Sequence, residues 1–482
     1  MHWLAAPGGA LARLALQRGL GVVYLIAFLV AVNQFRPLCG ERGLLPAPRF
    51  LRLVRFWDAP GLFHLGYSDR ALLATAWTGA LLGALVVLGV PDRLPLGLAM
   101  AIWLALWVLY LSIVNVGQTF YGFGWETLLL EAGFLAIFLG TPAVAAPLPV
   151  IWLFRWLLFR VEFGAGLIKM RGDPCWRDLT CLYYHHETQP MPNPLSWLFH
   201  RLPKPLHKVE VAVNHVAQLV VPFGLFCPQP VADVAAGIVV VTQGWLVLSG
   251  NFAWLNLLTL VLAFSGFDDA ALRHVLPLRL AASSAMPLWY AVALLALTAV
   301  IVALSWRPAL NLLSRHQIMN TSFDPLRLVN TYGAFGSITR VRREVVIEGT
   351  DAPSPGASAK WQAYEFKGKP GDVRRRPGQF APYHLRLDWL MWFAAMTSPY
   401  HHRWFVPFLV KLLENDRPTL ALLRHNPFPE KPPTFVRAQL YRYRFTTAAE
   451  RGRTGAWWSR ELLSEFLPPV GLGEATAGDG FE

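Results

Sequence analysis

Charged residues and cysteines are both scarce in this chain of 482 residues. Only 15% of the residues are charged, whereas 54% are hydrophobic and the mean hydropathy is +0.38. Ordinary water-soluble globular proteins carry about 25% charged residues, so this composition excludes that class. The 4 cysteines are too few for a small scaffold built on disulfides. The composition therefore predicts an α-helical polytopic membrane protein.

Long apolar stretches are confined to the first 305 residues. A helix needs about 20 apolar residues to cross the hydrocarbon core of a bilayer. We predict a membrane domain over residues 1–305 with roughly nine candidate transmembrane helices, interrupted by a polar, proline-rich loop at 171–208. The candidate stretches are 19–35, 71–90, 94–114, 128–146, 148–170, 211–226, 234–249, 254–267 and 287–304.

The chain changes character after residue 305, where charged residues become denser. The runs "REVVIEG", "WQAYEF" and "QLYRYRFTT" are rich in β-branched and aromatic residues, which is typical of strands. Between them, "HLRLDWLMWFAAM" has helical spacing. We predict a C-terminal soluble, mixed, β-rich domain over residues 306–468 with an inserted helix. The small and polar tail at 469–482 is expected to be disordered.

The net charge of +13 raises the question of what the basic residues contact. No nucleic-acid-binding motif accompanies them, so we expect no nucleic-acid partner. Anionic headgroups attract basic residues near a bilayer, which makes membrane lipid the predicted partner. Basic loops mark the cytoplasmic side of membrane proteins, and with nine spans this rule places the C-terminal domain in the cytoplasm.

Charged residues recur inside the apolar stretches. Arg155, Glu162 and Lys169 are each seven residues apart, nearly two helical turns, so they share one face of a helix. Charged residues at membrane depth are costly unless they are paired or face a cavity. We expect Glu131 to pair with Arg155 or Arg160 as a structural ion pair; the alternative is a substrate-facing acid.

The loop at 171–208 carries two patterns that suggest chemistry. His185, His186 and Glu187 contain groups that serve as metal ligands or general bases. No HExxH spacing is present and no further His or Cys cluster completes a ligand set, so we predict no metal site and no cofactor. Cys175 and Cys181 form either a disulfide or a thiol pair, and a structural pair is favoured over thiol catalysis because the CxxC motif is missing.

Several blocks of the sequence resemble the lipase maturation factor family. They are "DPCWRDLTCL", "YHHETQPMPNPLSW", "GNFAWLNLLTLVLAFSGFDD" and "NPFPEKPPTFVRAQLYRYRFT", in that order, within a match from about residue 20 to about residue 447. The resemblance implies a chaperone-like membrane protein that assists folding or maturation of secreted or membrane-associated clients such as lipases.

The resemblance also implies where the protein acts. It places the chain in the endoplasmic reticulum membrane if it is eukaryotic, or in the bacterial inner membrane if it is bacterial, with the C-terminal region on the oxidising side. This placement is opposite to the one given by the basic loops, and we follow the family. The residues that match the family pattern and are candidates for client interaction are Tyr332, Phe335, Trp361, Tyr364, Arg374, Arg375, Arg386, Asp388 and Trp392.

An alternative function is a membrane-embedded enzyme that acts on a lipid-borne or protein substrate. The organisation of the spans is distantly similar to the vitamin K-dependent carboxylase group. No cofactor-binding motif supports this alternative. The maturation role is therefore favoured. If the protein is an enzyme, one cavity should bring together Glu126, Glu131, Arg155, Arg160, Glu162, Lys169, His185, His186 and Glu187.

Overall fold

The structure is a computed structural model, and it describes residues 2–278 and 283–477. The described residues are mostly helical, with a small antiparallel sheet towards the C-terminus. The helices that precede the sheet are α1 (Ala10–Cys39), α2 (Ala47–Leu53), α3 (Asp69–Val87), α4 (Leu96–Val116), α5 (Gly124–Ala136), α6 (Leu148–Arg171), α7 (Pro174–Arg177), α8 (Leu182–Thr188), α9 (Ser196–Phe199), α10 (Lys204–Leu219), α11 (Val221–Gly224), α12 (Val231–Ser249), α13 (Leu255–Ala263), α14 (Asp269–Leu272), α15 (Leu288–Leu304) and α16 (Trp306–Leu313).

Among the described residues, five helical segments are long and apolar enough to cross a membrane. They are α1, α3, α4, α12 and the continuous segment Leu288–Leu313 formed by α15 and α16. Other predicted spans contain shorter helices, such as α5 with 13 residues and α13 with 9, or the charged helix α6. The fold is thus a mostly helical membrane protein with several candidate spans, and the count of nine stays a prediction.

Helix α6 lies at the centre of the helical part, where it packs against α5, α10, α13 and α15. A segment that follows α16 passes directly over α6 at Gly164. A Cβ atom at Gly164 would lie 2.5 Å from the carbonyl oxygen of Tyr332, so only glycine allows this approach. The close contact brings the start of the C-terminal region onto the membrane helices.

The C-terminal sheet has four antiparallel strands in the order β2-β1-β3-β4. The strands are β1 (Arg342–Thr350), β2 (Gln362–Ala363), β3 (Phe435–Phe445) and β4 (Trp458–Gly471). The first three confirm the strands predicted from the sequence, and β4 was not predicted. The helices of this region are α17 (Arg386–Ala394), α18 (Phe405–Leu413), α19 (Arg417–Leu420), α20 (Ala448–Thr454) and α21 (Leu472–Ala477). Helix α17 is the predicted inserted helix.

The tail differs from its prediction. The sequence predicted disorder from residue 469 onwards. Instead β4 extends to Gly471, with Val470 opposite Val436 and Gly471 opposite Phe435. Helix α21 follows and packs against α18. Pairing with β3 orders these residues even though their composition is small and polar. Residues 478–482 lie outside the described residues.

One continuous hydrophobic core joins the membrane helices to the C-terminal region. It contains Tyr24 and Phe154 from the membrane helices together with Trp389, Phe405 and Val436 from the C-terminal region. The sheet region therefore packs onto the helices through buried apolar contacts, and the candidate site lies where the two parts meet.

Candidate functional site

A cavity of about 1050 Å³ lies between α6, α10, α12 and the C-terminal region. Aromatic rings form much of its wall, and a few polar side chains interrupt them, which is the usual composition of a ligand site. The aromatic residues include Trp125, Trp176, Trp245, Phe252, Phe335, Trp389 and Trp392. The polar residues include Glu162, Lys169, His185, Glu210, Gln218 and Gln243.

A chain of hydrogen bonds links Lys169 to Glu162 along the cavity wall. The Lys169 Nζ atom donates to Gln218 Oε1 at 2.7 Å, and Gln218 Nε2 donates to Glu162 Oε2 at 3.3 Å. The other carboxylate oxygen of Glu162 accepts from Gln243 Nε2 at 2.6 Å. The seven-residue spacing on α6 places the acid and the base on the same face. No Lys or Arg among the described residues forms a direct ion pair with Glu162.

Arg155 lies on the same face of α6 but does not reach the cavity wall. Its guanidinium donates to the carbonyl oxygens of Ser265 at 2.7 Å and Leu225 at 3.0 Å. These carbonyl groups lie at the ends of short helical segments, where backbone acceptors lack partners within the helix. Arg155 therefore links α6 to the segments that contain Ser265 and Leu225, and it lies apart from the cavity.

The two carboxylates of α5 are held in buried ion pairs. Glu131 pairs with Arg160, as predicted, and also accepts hydrogen bonds from Tyr332 Oη at 2.7 Å and from the Asn330 backbone at 3.0 Å. Arg160 in turn donates to the Asn330 carbonyl at 2.7 Å. All four residues are buried. This pair therefore fixes the start of the C-terminal region to α5 and α6.

Glu126 forms the second buried pair. It accepts a hydrogen bond from Arg386 Nη1 at 2.7 Å and another from Tyr110. The backbone of Arg386 and of its neighbour His384 also bonds Gln34 of α1. Glu126 and Arg386 are both 0% exposed. The pair joins α5 to α17, and this partner was not predicted from the sequence.

The adjacent histidines point into different environments. His185 lines the cavity and contacts the rings of Phe252 and Phe335. Burial and the positive charge of Lys169 lower the pKa of His185 to about 4, so its imidazole is neutral near pH 7. His186 turns away, and its ring lies 5.6 Å from that of His207. Glu187 accepts from the Phe445 backbone at 2.7 Å.

The nine candidates for an enzyme therefore do not converge. Glu162, Lys169 and His185 share the cavity wall, while Glu126, Glu131 and Arg160 are occupied in ion pairs. Arg155 and Glu187 bond backbone groups in other parts of the fold, and the ring of His186 lies beside that of His207.

Cys175 and Cys181 form a disulfide, with their Cα atoms 4.8 Å apart. The loop that contains it is tied to the C-terminal region. Asp173 donates its backbone N–H to the Gly336 carbonyl at 2.8 Å, and Arg340 bonds the Asp173 carboxylate at 2.8 Å. The disulfide and the C-terminal region consequently lie on the same side of the membrane helices.

Most candidates for client interaction are internal. The structure buries Tyr332, Tyr364, Arg386 and Asp388, and it partly buries Phe335, Trp361, Arg375 and Trp392. Asp388 accepts from the backbone of Gly368 at 2.6 Å, and burial raises the pKa of its carboxyl. Only Arg374 of this set is exposed. The buried positions indicate that these residues pack the core and attach the C-terminal region to the membrane helices.

Sequence reasoning missed Gln218 and Gln243, which complete the polar wall of the cavity. A glutamine within the apolar run "VVVTQGWLVLS" was an available signal, since polar residues in such runs usually face a bundle interior. Glu210 and Trp245 were missed as well, and only the fold places these two side chains together.

The chain matches two described domains. The lipase maturation factor transmembrane domain matches residues 11–274, and the lipase maturation factor C-terminal domain matches residues 328–468. Lipase maturation factor 1 of Bos taurus is 44% identical, over 95% of this chain and 89% of that protein. Lipase maturation factor 1 of Homo sapiens is 42% identical over 96% and 88%, and lipase maturation factor 2 of Homo sapiens is 31% identical over 97% and 84%. No solved structure matches the chain.

Proposed function

Since the chain belongs to the lipase maturation factor family, we propose that it is a membrane protein that assists the maturation of lipases. The observation that carries this proposal is the extent of the similarity. It covers both the transmembrane and the C-terminal domain and nearly the whole length of relatives named for lipase maturation. A role that needs both parts agrees with the buried contacts that join them, namely the Glu126–Arg386 ion pair and the hydrogen bonds from Asn330 and Tyr332 to Glu131.

Secretion of an active lipase tests this proposal. The chain is expressed, together with a secreted lipase, in mammalian cells that lack their own maturation factor. We expect active lipase in the medium only when the chain is present, whereas an unrelated secreted hydrolase should be active with or without it. Equal lipase activity in both cell lines would contradict the proposal.

We place the contact with the lipase on β4, the long edge strand of the sheet. Residues 460–465 of this strand are exposed on both faces, and Leu462 and Leu463 are 55% and 44% exposed. The outer edge of β4 pairs with no other strand among the described residues. An open edge of this kind binds an extended segment of another protein through backbone hydrogen bonds. The proposed occupant is an extended segment of the immature lipase.

Site-specific photocrosslinking tests this surface. A photoreactive residue at Leu462 should capture the co-expressed lipase. Trp57 is the matched control, because it is 79% exposed and lies in the loop between α2 and α3. Capture of the lipase from Trp57 but not from Leu462 would contradict β4 as the contact surface. The maturation role itself is tested separately by lipase activity.

We infer from the cysteines on which side of the membrane the C-terminal region acts. Disulfides persist in oxidising compartments, and the bonded loop lies beside the C-terminal region, so we place both on the oxidising side. Cys227 is free and exposed, and it precedes α12, whose far end approaches that loop through the hydrogen bond from Gln189 to Ser249. Helix α12 is about 28 Å long, so Cys227 lies at the opposite end of the helices.

Labelling of sealed microsomes tests this placement. A membrane-impermeant maleimide should label Cys227 at once, whereas the double variant Cys227→Ser, Leu462→Cys should be labelled only after detergent is added. The reverse pattern would put the C-terminal region in the cytoplasm, as the basic loops suggest.

The enzyme alternative is not favoured, because its candidate residues do not share one site. The cavity between α6, α10 and α12 suits an apolar group, and we propose membrane lipid as its occupant. Lipid that copurifies with the protein and is lost when Gln243 is replaced by Trp would support this assignment. Unchanged lipid content in the Gln243→Trp variant would contradict it.

A further inference from the structure

Two histidines and a glutamate meet beside the cavity. His186 lies on α8, while His207 and Glu210 lie one turn apart on α10. One ring nitrogen from each histidine and one carboxylate oxygen all lie within 4.8 Å of one another. The sequence argument against a metal site missed this set, because His207 and Glu210 belong to the following long helix and show no recognised spacing with His186.

The two imidazoles are buried without hydrogen-bond partners. His186 and His207 are each 1% exposed. Both ring nitrogens of each residue lack a hydrogen-bond partner among the residues that the structure describes. A neutral imidazole carries one N–H donor and one acceptor, and leaving such groups unpaired in an interior is unfavourable. A ligand that binds the nitrogen lone pairs of both histidines would satisfy them.

Glu210 is oriented by the opposite wall. Its Oε1 atom accepts a hydrogen bond from Trp245 Nε1 at 2.6 Å. Its Oε2 atom has no hydrogen-bond partner and lies 3.6 Å from His207 Nδ1. Bonds of this kind fix ligands in metal sites, since the second atom of the ligand is held by a neighbouring group. The free oxygen therefore faces the histidines.

The two imidazoles and the carboxylate indicate which metal ion the site would bind. Imidazole nitrogens suit zinc and related transition metals, and a carboxylate oxygen completes a three-ligand set that leaves one position for a further ligand. We propose that His186, His207 and Glu210 bind a Zn²⁺ ion.

The test uses the full chain purified in detergent without chelators. Mass spectrometry of the metal content should find about one zinc per chain. After the zinc is removed, Co²⁺ alone is titrated, and visible absorption should appear as the ion enters the site. Wild-type protein that retains no zinc and shows no Co²⁺ absorption would overturn the proposal.

Substitutions then locate the ion. His207→Gln should weaken Co²⁺ binding by roughly tenfold or more. The matched control is His215→Gln, on the same helix, whose side chain contacts the Trp176 carbonyl at 2.9 Å, and it should bind Co²⁺ as the wild type does. If His207→Gln fails to fold, Glu210→Gln provides the same comparison, because this side chain is 18% exposed. Equal binding by a folded ligand variant and the wild type would also overturn the proposal.

Discussion

Helices α5 and α6 both carry carboxylates within the helical core, but the carboxylates of α5 form ion pairs with arginines, whereas Glu162 of α6 accepts hydrogen bonds from neutral amides. Glu126 and Glu131 of α5 each bind an arginine directly, and in both cases residues of the C-terminal region take part. Among the described residues, Glu162 of α6 accepts hydrogen bonds only from the amides of Gln218 and Gln243, and it faces the cavity. The difference separates acids that hold the fold together from an acid that remains close to a space for a ligand.

The largest effect should follow from removing the arginine partner of Glu126. Arg386→Met leaves a buried carboxylate without its cation, which costs about 3 to 5 kcal/mol of folding free energy. Thermal unfolding in detergent and the yield of folded protein should both fall sharply. Arg374→Met is the control, because Arg374 is exposed, and it should melt like the wild type. If the two variants melt at the same temperature, the ion pair between Glu126 and Arg386 does not stabilise the fold, and the proposed difference between the carboxylates of α5 and α6 is wrong.

A smaller loss is expected from Glu131→Gln. The amide oxygen of the variant still accepts one hydrogen bond, and Arg160 keeps its bond to the Asn330 carbonyl, so we expect a loss of about 2 to 3 kcal/mol. The double variant Glu131→Gln with Arg160→Met removes both charges and should cost less than the sum of the single changes. Thermal unfolding of the four proteins measures this coupling. Additive costs would show that the two charges do not act as a pair.

The environment of the Glu126 pair should also give a pH dependence. Burial, followed by the charge of Arg386, lowers the pKa of His384 from its usual value of about 6.5 to about 3. The neutral ring accepts a hydrogen bond from Trp125 Nε1 at 3.3 Å. The unfolded chain takes up this proton more readily, so the contribution to stability is complete above pH 6.5 and is lost as the pH falls.

The expected loss is about 1.4 kcal/mol for each pH unit between pH 6 and pH 4.5. His384→Asn cannot take up this proton. Its unfolding free energy should therefore decline less steeply with acidification than that of the wild type. Parallel declines in the two proteins, measured by thermal unfolding, would contradict a neutral His384.

The smallest effect is expected at Glu162. Glu162→Gln removes a charge that has no cationic partner in direct contact, so stability should change by about 1 kcal/mol or less. Thermal unfolding beside Glu131→Gln sharpens the comparison, because the chemical change is the same at the two positions. A loss at Glu162 as large as that at Glu131 would show that this acid is also structural.

Part of this arrangement was predictable from the sequence. The sequence predicted that Glu131 pairs with Arg155 or Arg160 on the next apolar helix, because an unpaired charge there is too costly, and the structure selects Arg160. The partner of Glu126 is 260 residues away, and no local pattern connects Glu126 to Arg386. The same limit applies to His207, which meets His186 only after α10 has folded back beside α8.

The strands show a similar division. Alternation and β-branched residues identified β1 and β3, while the run "WSRELLSEFLPPVG" of β4 contains two prolines near its end and alternates poorly. Its pairing with β3 determines its conformation. The resemblance to the family marked Tyr332 and Arg386 as important, but it did not indicate that both are buried and hold the two parts together.

The separation between Glu126 and Arg386 has a consequence for biosynthesis. A ribosome that adds about 5 to 20 residues per second needs roughly 10 to 50 s to reach the arginine after the glutamate has been made. During that interval α5 enters or approaches the bilayer with its acid uncompensated. The membrane helices of a nascent chain therefore reach their final arrangement only after residue 386 of the 482 has been translated, so a chain truncated before α17 should be recognised by the cell as incompletely assembled.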